Sequence, residues 1–86
     1  MRARMTKAEA LRRLGEHVAE LRRERGLTQE ALAERMEVSR NHVADIELGA
    51  RNTGVWSFLL LARALELPAS ELLAVFSPAA LRKLKR

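Results

Sequence analysis

An all-α domain of five helices, with room for a short sixth, is the fold class this sequence predicts. Three observations carry that prediction. Leu, Ala, Arg and Glu dominate the 86 residues, while Gly contributes four and Pro two, a balance that favours helices. Apolar residues recur every three or four positions rather than every second one. Hydroxyl residues stand just ahead of these runs, where a helix start needs acceptors for its unpaired N–H groups. No strand pattern, internal repeat or low-complexity linker interrupts the reading.

Thr6-Lys7-Ala8-Glu9 has the form of a capping box. Leu11, Leu14, Val18 and Leu21 follow at helical spacing, and Gly26 suits a left-handed cap. The first helix is therefore expected over about 7–25. Thr28 caps a short second helix carrying Leu32, Ala33 and Met36. Ser39 caps a third, marked by Val43 and Ile46 and ending near Gly49. A fourth runs from about Val55 to Glu66, where Leu67-Pro68 breaks it because the residue before proline avoids helical geometry. A short fifth starts at Pro68 or Ser70 and carries Leu72, Leu73 and Phe76. Ser77-Pro78 reads as a cap with a first-turn proline. The expected division is a domain over 1–76 and a basic tail or short helix over 77–86.

Composition narrows function. Cysteine is absent, which removes disulfides and Cys-based zinc sites and makes the cytosol the natural setting. Two isolated histidines, His17 and His42, do not make a metal site alone. Even the longest apolar runs, such as Phe58 to Ala62, are far too short for a membrane span, and the start lacks a secretory apolar region. There is no nucleophile–base pair and no phosphate-cradling Gly loop. No catalytic residue, metal, cofactor or small-molecule ligand is expected. The formal net charge is +5 but unevenly spread. Residues 1–25 carry +4, residues 26–76 carry −3, and residues 77–86 carry four Lys/Arg and no acid. Bulk charge alone is thus a poor argument for DNA binding and fits solvated ends equally well.

The informative stretch is Gln29 to Leu48: two short helices around the tight turn Met36-Glu37-Val38-Ser39. Leu32, Met36, Val38, Val43 and Ile46 face inward, with small Ala33 where the helices cross. Arg40, Asn41, His42 and Asp45 lie outside, near the start of the second of these helices. Short polar side chains on a protruding helix start can reach base edges in a major groove.

Four ordered blocks then carry a resemblance: Gly26 to Ala33, Val38 to Arg40, Ile46 to Asn52, and Leu61 to Leu65. Over about residues 14–73 the chain resembles the Cro/repressor-type (XRE-like) helix-turn-helix regulators, which include phage repressors and restriction–modification controller proteins. The resemblance implies a sequence-specific transcriptional regulator, prokaryotic and cytoplasmic at the nucleoid, acting as a homodimer on double-stranded DNA with a palindromic operator. It places Arg40, Asn41 and Asp45 at base-reading positions with His42 beside them. Gln29 takes the place of a residue that contacts a phosphate and braces the recognition helix. Arg51 and Asn52 take the place of phosphate contacts, and the helix starts at Thr28 and Ser39 offer N–H groups to phosphates. Arg22 and Glu47 match a structural ion pair.

Alternatives stay open at each reader: a solvated Arg40, an Asn41 that caps or pairs with Asp45, an Asp45 that orients a neighbour, a His42 that only packs. The family's turn carries glycine where Glu37 stands, so this turn is either strained or built differently. The following loop has Thr53 where proline is usual and Gly54 where a hydroxyl cap is usual.

The fourth helix adds something of its own. Val55, Phe58, Leu59, Ala62 and Leu65 form one apolar face suited to the core, while Trp56 and Leu60 point roughly the other way. A helix apolar all round should be buried all round. Trp56 and Leu60, flanked by Arg63, are therefore expected at a dimer interface, with Leu67, Val75 and Phe76 extending it. The alternative is a tail that folds back so that Leu81 and Leu84 cover Trp56. The rival function is a protein-interaction module, antitoxin-like or adaptor, whose chief partner is another protein.

Overall fold

Helix starts follow the hydroxyl pattern closely. A computed structural model describes residues 4–86 as α1 (Lys7–Glu24), α2 (Gln29–Met36), α3 (Arg40–Leu48), α4 (Val55–Leu65), α5 (Ala69–Leu72) and α6 (Pro78–Leu81). Residues 1–3 of the expected 1–76 domain, with Arg2's share of the basic start, lie outside the described residues. The hydroxyls of Thr6, Thr28, Ser39 and Ser77 accept the backbone N–H of Glu9, Ala31, His42 and Ala80 at 3.2, 3.0, 3.1 and 3.1 Å. Gly54, ahead of α4, makes no side-chain cap. All described secondary structure is helical apart from one isolated bridge, Met5 to Leu84.

Two helices end on non-glycine residues in the left-handed region. Glu37 sits at φ 58° and Glu66 at φ 56°. At each, the next N–H turns back onto the helix: Val38 to Ala33 O and Leu67 to Ala62 O, both at 3.0 Å. The Glu37 turn thus has the usual geometry and carries the strain of a Cβ there, about 1 kcal/mol. Glu66 has the same geometry without a sequence signal for it.

The core draws on α1 to α5. Val18, Leu32, Val43, Leu61, Leu65 and Leu72 are each at most 1% exposed. The tightest approach lies between α1 and α3. A Cβ on Gly15 would stand 2.5 Å from the Glu47 carbonyl oxygen and closer still to that of Ile46. Gly49, at φ 76°, packs on the other end of the same crossing, where a Cβ would meet Arg12 N at 2.8 Å. Backbone-on-backbone packing of this kind is possible only without side chains. The last carbonyls of α4 are capped from outside the helix: Arg25 Nε donates to Leu65 O at 2.7 Å and Arg35 Nη1 to Ala64 O at 3.0 Å.

Several expectations need correction. The α4 core face consists of Leu61, Ala62, Ala64 and Leu65, with Phe58 packed against it. Val55 and Leu59 are instead 78% and 49% exposed. An almost wholly apolar helix has no polar stripe to set its rotation, so neighbouring helices decided it. α5 ends at Leu72, and Leu73 is half-exposed beyond it. His17 ties α1 to α5 through Nε2–H to the Glu71 carbonyl at 2.7 Å. The tail does not cover Trp56, which is 73% exposed; it pairs with the start of the chain at Met5.

Replacing Glu37 by Gly relieves the left-handed strain, offset in part by the greater freedom of the unfolded chain. The expected result is a gain of about 0.5 kcal/mol, seen as a higher urea midpoint at unchanged slope.

Candidate nucleic-acid interface

The α2–turn–α3 unit is pinned at one carboxylate. Arg22 of α1 donates Nε to Glu47 Oε2 at 2.7 Å and Nη2 to Glu47 Oε1 at 3.1 Å. Its third nitrogen, Nη1, donates to the Leu27 carbonyl at 2.8 Å. Gln29, at the first position of α2, donates Nε2 to the same Glu47 Oε1 at 2.9 Å. The Arg22 and Glu47 side chains are 12% and 7% exposed. A two-pronged, largely desolvated pair of this kind fixes angle as well as distance. It locks the C-terminal turn of α3 to α1 and to the start of α2. The bracing expected of Gln29 is thus a direct hydrogen bond.

The opposite end of α3 points outward. Ser39, Arg40 and Asn41 are exposed. Arg40 Nε lies 3.3 Å from Glu30 Oε2 of α2, a partner that sequence reading missed although the two acids of α2 were visible. Asp45, one turn further on, does not pair with Asn41 among the described hydrogen bonds. Its Oδ2 lies 3.5 Å from Arg51 Nη2. Asp45 of α3 and the loop that follows are therefore linked across the end of α3. Asn52 is exposed beside Arg51. The Thr28 and Ser39 hydroxyls are engaged as caps, at the helix starts that face the same unit.

His42 turns partly inward. Its Nε2 is buried without a hydrogen-bond partner among the described residues, as is the Thr53 hydroxyl in the following loop. Burial holds the imidazole below its ordinary value of 6.5, and the Arg51 guanidinium pushes the same way while Asp45 opposes. Neutral His42 is thus the form the fold favours.

On α4, Trp56 is exposed and Leu60 half-buried. Together with Arg63 they line a groove against Met36, Glu37 and Val38 of the helix-turn-helix turn.

Removing the carboxylate in Glu47→Ala strands a desolvated guanidinium. A loss of about 3 kcal/mol is expected, measured by urea denaturation. For His42 the lowered folded-state value means that the unfolded chain takes up the proton first. Its contribution is complete above pH 6.5 and is lost as pH falls below that value. Stability measured from pH 7.5 downward should decline through this window, and His42→Gln should flatten that part of the curve.

Comparison with known proteins bears on the same region. A family model described as helix-turn-helix matches residues 18–72, more than half of the chain. The restriction-modification controller protein C.AhdI from Aeromonas hydrophila is 39% identical in sequence, with 72% of this chain and 94% of that one covered and a TM-score of 0.71. The controller protein C.Esp1396I, solved as a tetramer in complex with its natural 35 base-pair operator, is 26% identical over 84% of this chain and 95% of that one, TM-score 0.72. The clp gene regulator ClgR from C. glutamicum shares the fold at 23% identity, covering 76% of this chain and 84% of that one, TM-score 0.72. The comparison with curated proteins returns no match. By the family model and the controller-protein relative together, the chain belongs to the Cro/repressor-type helix-turn-helix family.

Proposed function

We propose that this protein is a sequence-specific transcription regulator that binds double-stranded DNA as a homodimer on a palindromic operator, with α3 in the major groove. The observation that carries the reading is the build of α3. Its C-terminal turn is clamped through Glu47 by Arg22 and Gln29, while Arg40 and Asn41 are exposed at its N-terminal end. A relative in the same family is known in complex with its operator.

Residue roles follow from magnitudes. The Arg40–Glu30 pair is exposed at both ends, 54% and 69%. Such pairs contribute about 1 kcal/mol or less. A bidentate contact to guanine contributes about 1–3 kcal/mol, so Arg40 exchanges Glu30 for a base. Asn41 reads the neighbouring position. Asp45 holds Arg51 toward the DNA backbone, which also offsets its own repulsion from phosphates. Gln29, Arg51, Asn52 and the helix starts at Thr28 and Ser39 contact phosphates. With Nε2 buried, His42 supports the loop rather than reading a base.

The α4 face supplies the dimer. Counting 100° per residue, Val55, Leu59, Arg63 and Trp56 fall on one sector, and all four are exposed. The strip continues into an apolar hollow lined by Leu14, Phe58 and Leu73. Leu60 borders it on the other side. A two-fold axis through such a face buries it against its own copy and sets two α3 helices about 34 Å apart, one turn of DNA. The proposed setting is the prokaryotic cytoplasm, at the nucleoid, and the role needs no catalytic group, metal or cofactor. The same exposed face supports the second reading, an adaptor whose main partner is another protein.

Selection from a randomised duplex pool at near-physiological salt separates the two. The regulator yields one inverted repeat with half-sites about a turn apart; failure to enrich any motif would falsify it. Trp56→Glu is expected to sediment as a monomer and to weaken operator binding at least about tenfold, because single modules make few base contacts. A variant that remains dimeric removes α4 from the interface.

A further inference from the structure

We propose that Arg4, Lys7 and the run Arg82–Arg86 form one basic clasp that holds backbone phosphates flanking each operator half-site. The inference rests on the DNA-binding reading above and extends the contact surface beyond α3 and its loop.

The two most basic parts of the sequence are distant along the chain, yet the fold joins them. Met5 is 2% exposed. Its N–H donates to the Lys83 carbonyl at 2.7 Å, and its carbonyl accepts the Lys85 N–H at 2.8 Å. This pairing brings Arg4 alongside Lys83 and Lys85, with Lys7 opening α1 two residues on. Arg4, Lys7, Arg82, Lys83, Lys85 and Arg86 are all exposed. None of them enters an ion pair among the described residues. The segment 77–86 contains no acid at all. Gathering like charges costs free energy unless a polyanion neutralises them.

Position argues for DNA as that polyanion. Gly49 lies against the backbone of Arg12, so the loop bearing Arg51 and Asn52 leaves from beside α1. Lys7 lies five residues before Arg12, about 8 Å along the helix at 1.5 Å per residue. The clasp therefore continues the edge that starts at the phosphate-contacting loop. Each DNA strand carries one charge per about 3.4 Å of axis, so an extension of this length reaches two or three further phosphates.

The test uses the full chain and the selected operator in two lengths: cut at its half-sites, and extended by about ten base pairs, one helical turn, on each side. Binding is titrated by fluorescence anisotropy from about 50 to 200 mM salt for the wild type and for a variant combining Arg82→Gln, Lys83→Gln, Lys85→Gln and Arg86→Gln. Each lost phosphate contact lowers the slope of log K against log salt by about 0.9. On the extended duplex the variant should lose a slope of about 4 per dimer, from two contacts per protomer. On the cut duplex it should match the wild type, and its preference for operator over scrambled sequence should be unchanged. Equal slopes for both proteins on the extended duplex overturn the proposal. So does an equal loss on both duplexes, which marks a general charge effect. If the wild type selects no operator, the DNA reading falls and the clasp with it; if it selects one but ignores the flanks, only the clasp falls.

Discussion

Glu47 is the point on which the helix-turn-helix unit depends. One carboxylate accepts two hydrogen bonds from Arg22 and one from Gln29, so three helices meet at a single side chain. The pair does its work through geometry rather than raw attraction. A largely buried ion pair gains little over an apolar contact once desolvation is counted, but it fixes an orientation that an apolar contact leaves loose. Gly15 completes the constraint by letting α1 and α3 touch backbone to backbone. With its far end held this way, α3 presents a firmly held N-terminal end to solvent.

Around that rigid axis the charged surface is arranged in exchangeable pairs. Arg40 rests on Glu30 and Arg51 on Asp45, each pair close to half-exposed or more. In water such pairs are weak and screened. They orient the two cations without fixing them. The acidic balance of residues 26–76, which argues against DNA binding when read as bulk charge, is spent largely on this local pairing. Glu30, Asp45, Glu47 and Glu66 each meet an arginine.

Much of this was legible in the sequence because it depends on neighbours along the chain. A hydroxyl cap needs only the N–H two or three residues on, so Thr6, Thr28, Ser39 and Ser77 announced their helices. The family resemblance carried the Arg22–Glu47 pair and the bracing Gln29. Glu37 could be flagged because the resemblance marks a glycine there. Glu66 could not, since only the closing of α4 onto Leu67 and Pro68 demands its left-handed turn. His17 gave no sign of its bond to Glu71, a contact across 54 positions.

By itself the sequence determined the helical fold class, the order and limits of the main helices, the polar residues at the start of α3 and the presence of a surplus apolar face on α4. Each follows from local periodicity, capping or motif spacing. Only the tertiary structure decided how α4 is rotated, exposing Val55, Trp56 and Leu59 together and burying Leu61 and Ala64. It alone decided which acid meets which arginine, and that the tail leaves Trp56 bare and pairs with Met5. Rotation and long-range pairing are set by what the other helices leave uncovered, and an apolar helix or a run of cations carries no local feature that specifies its partner.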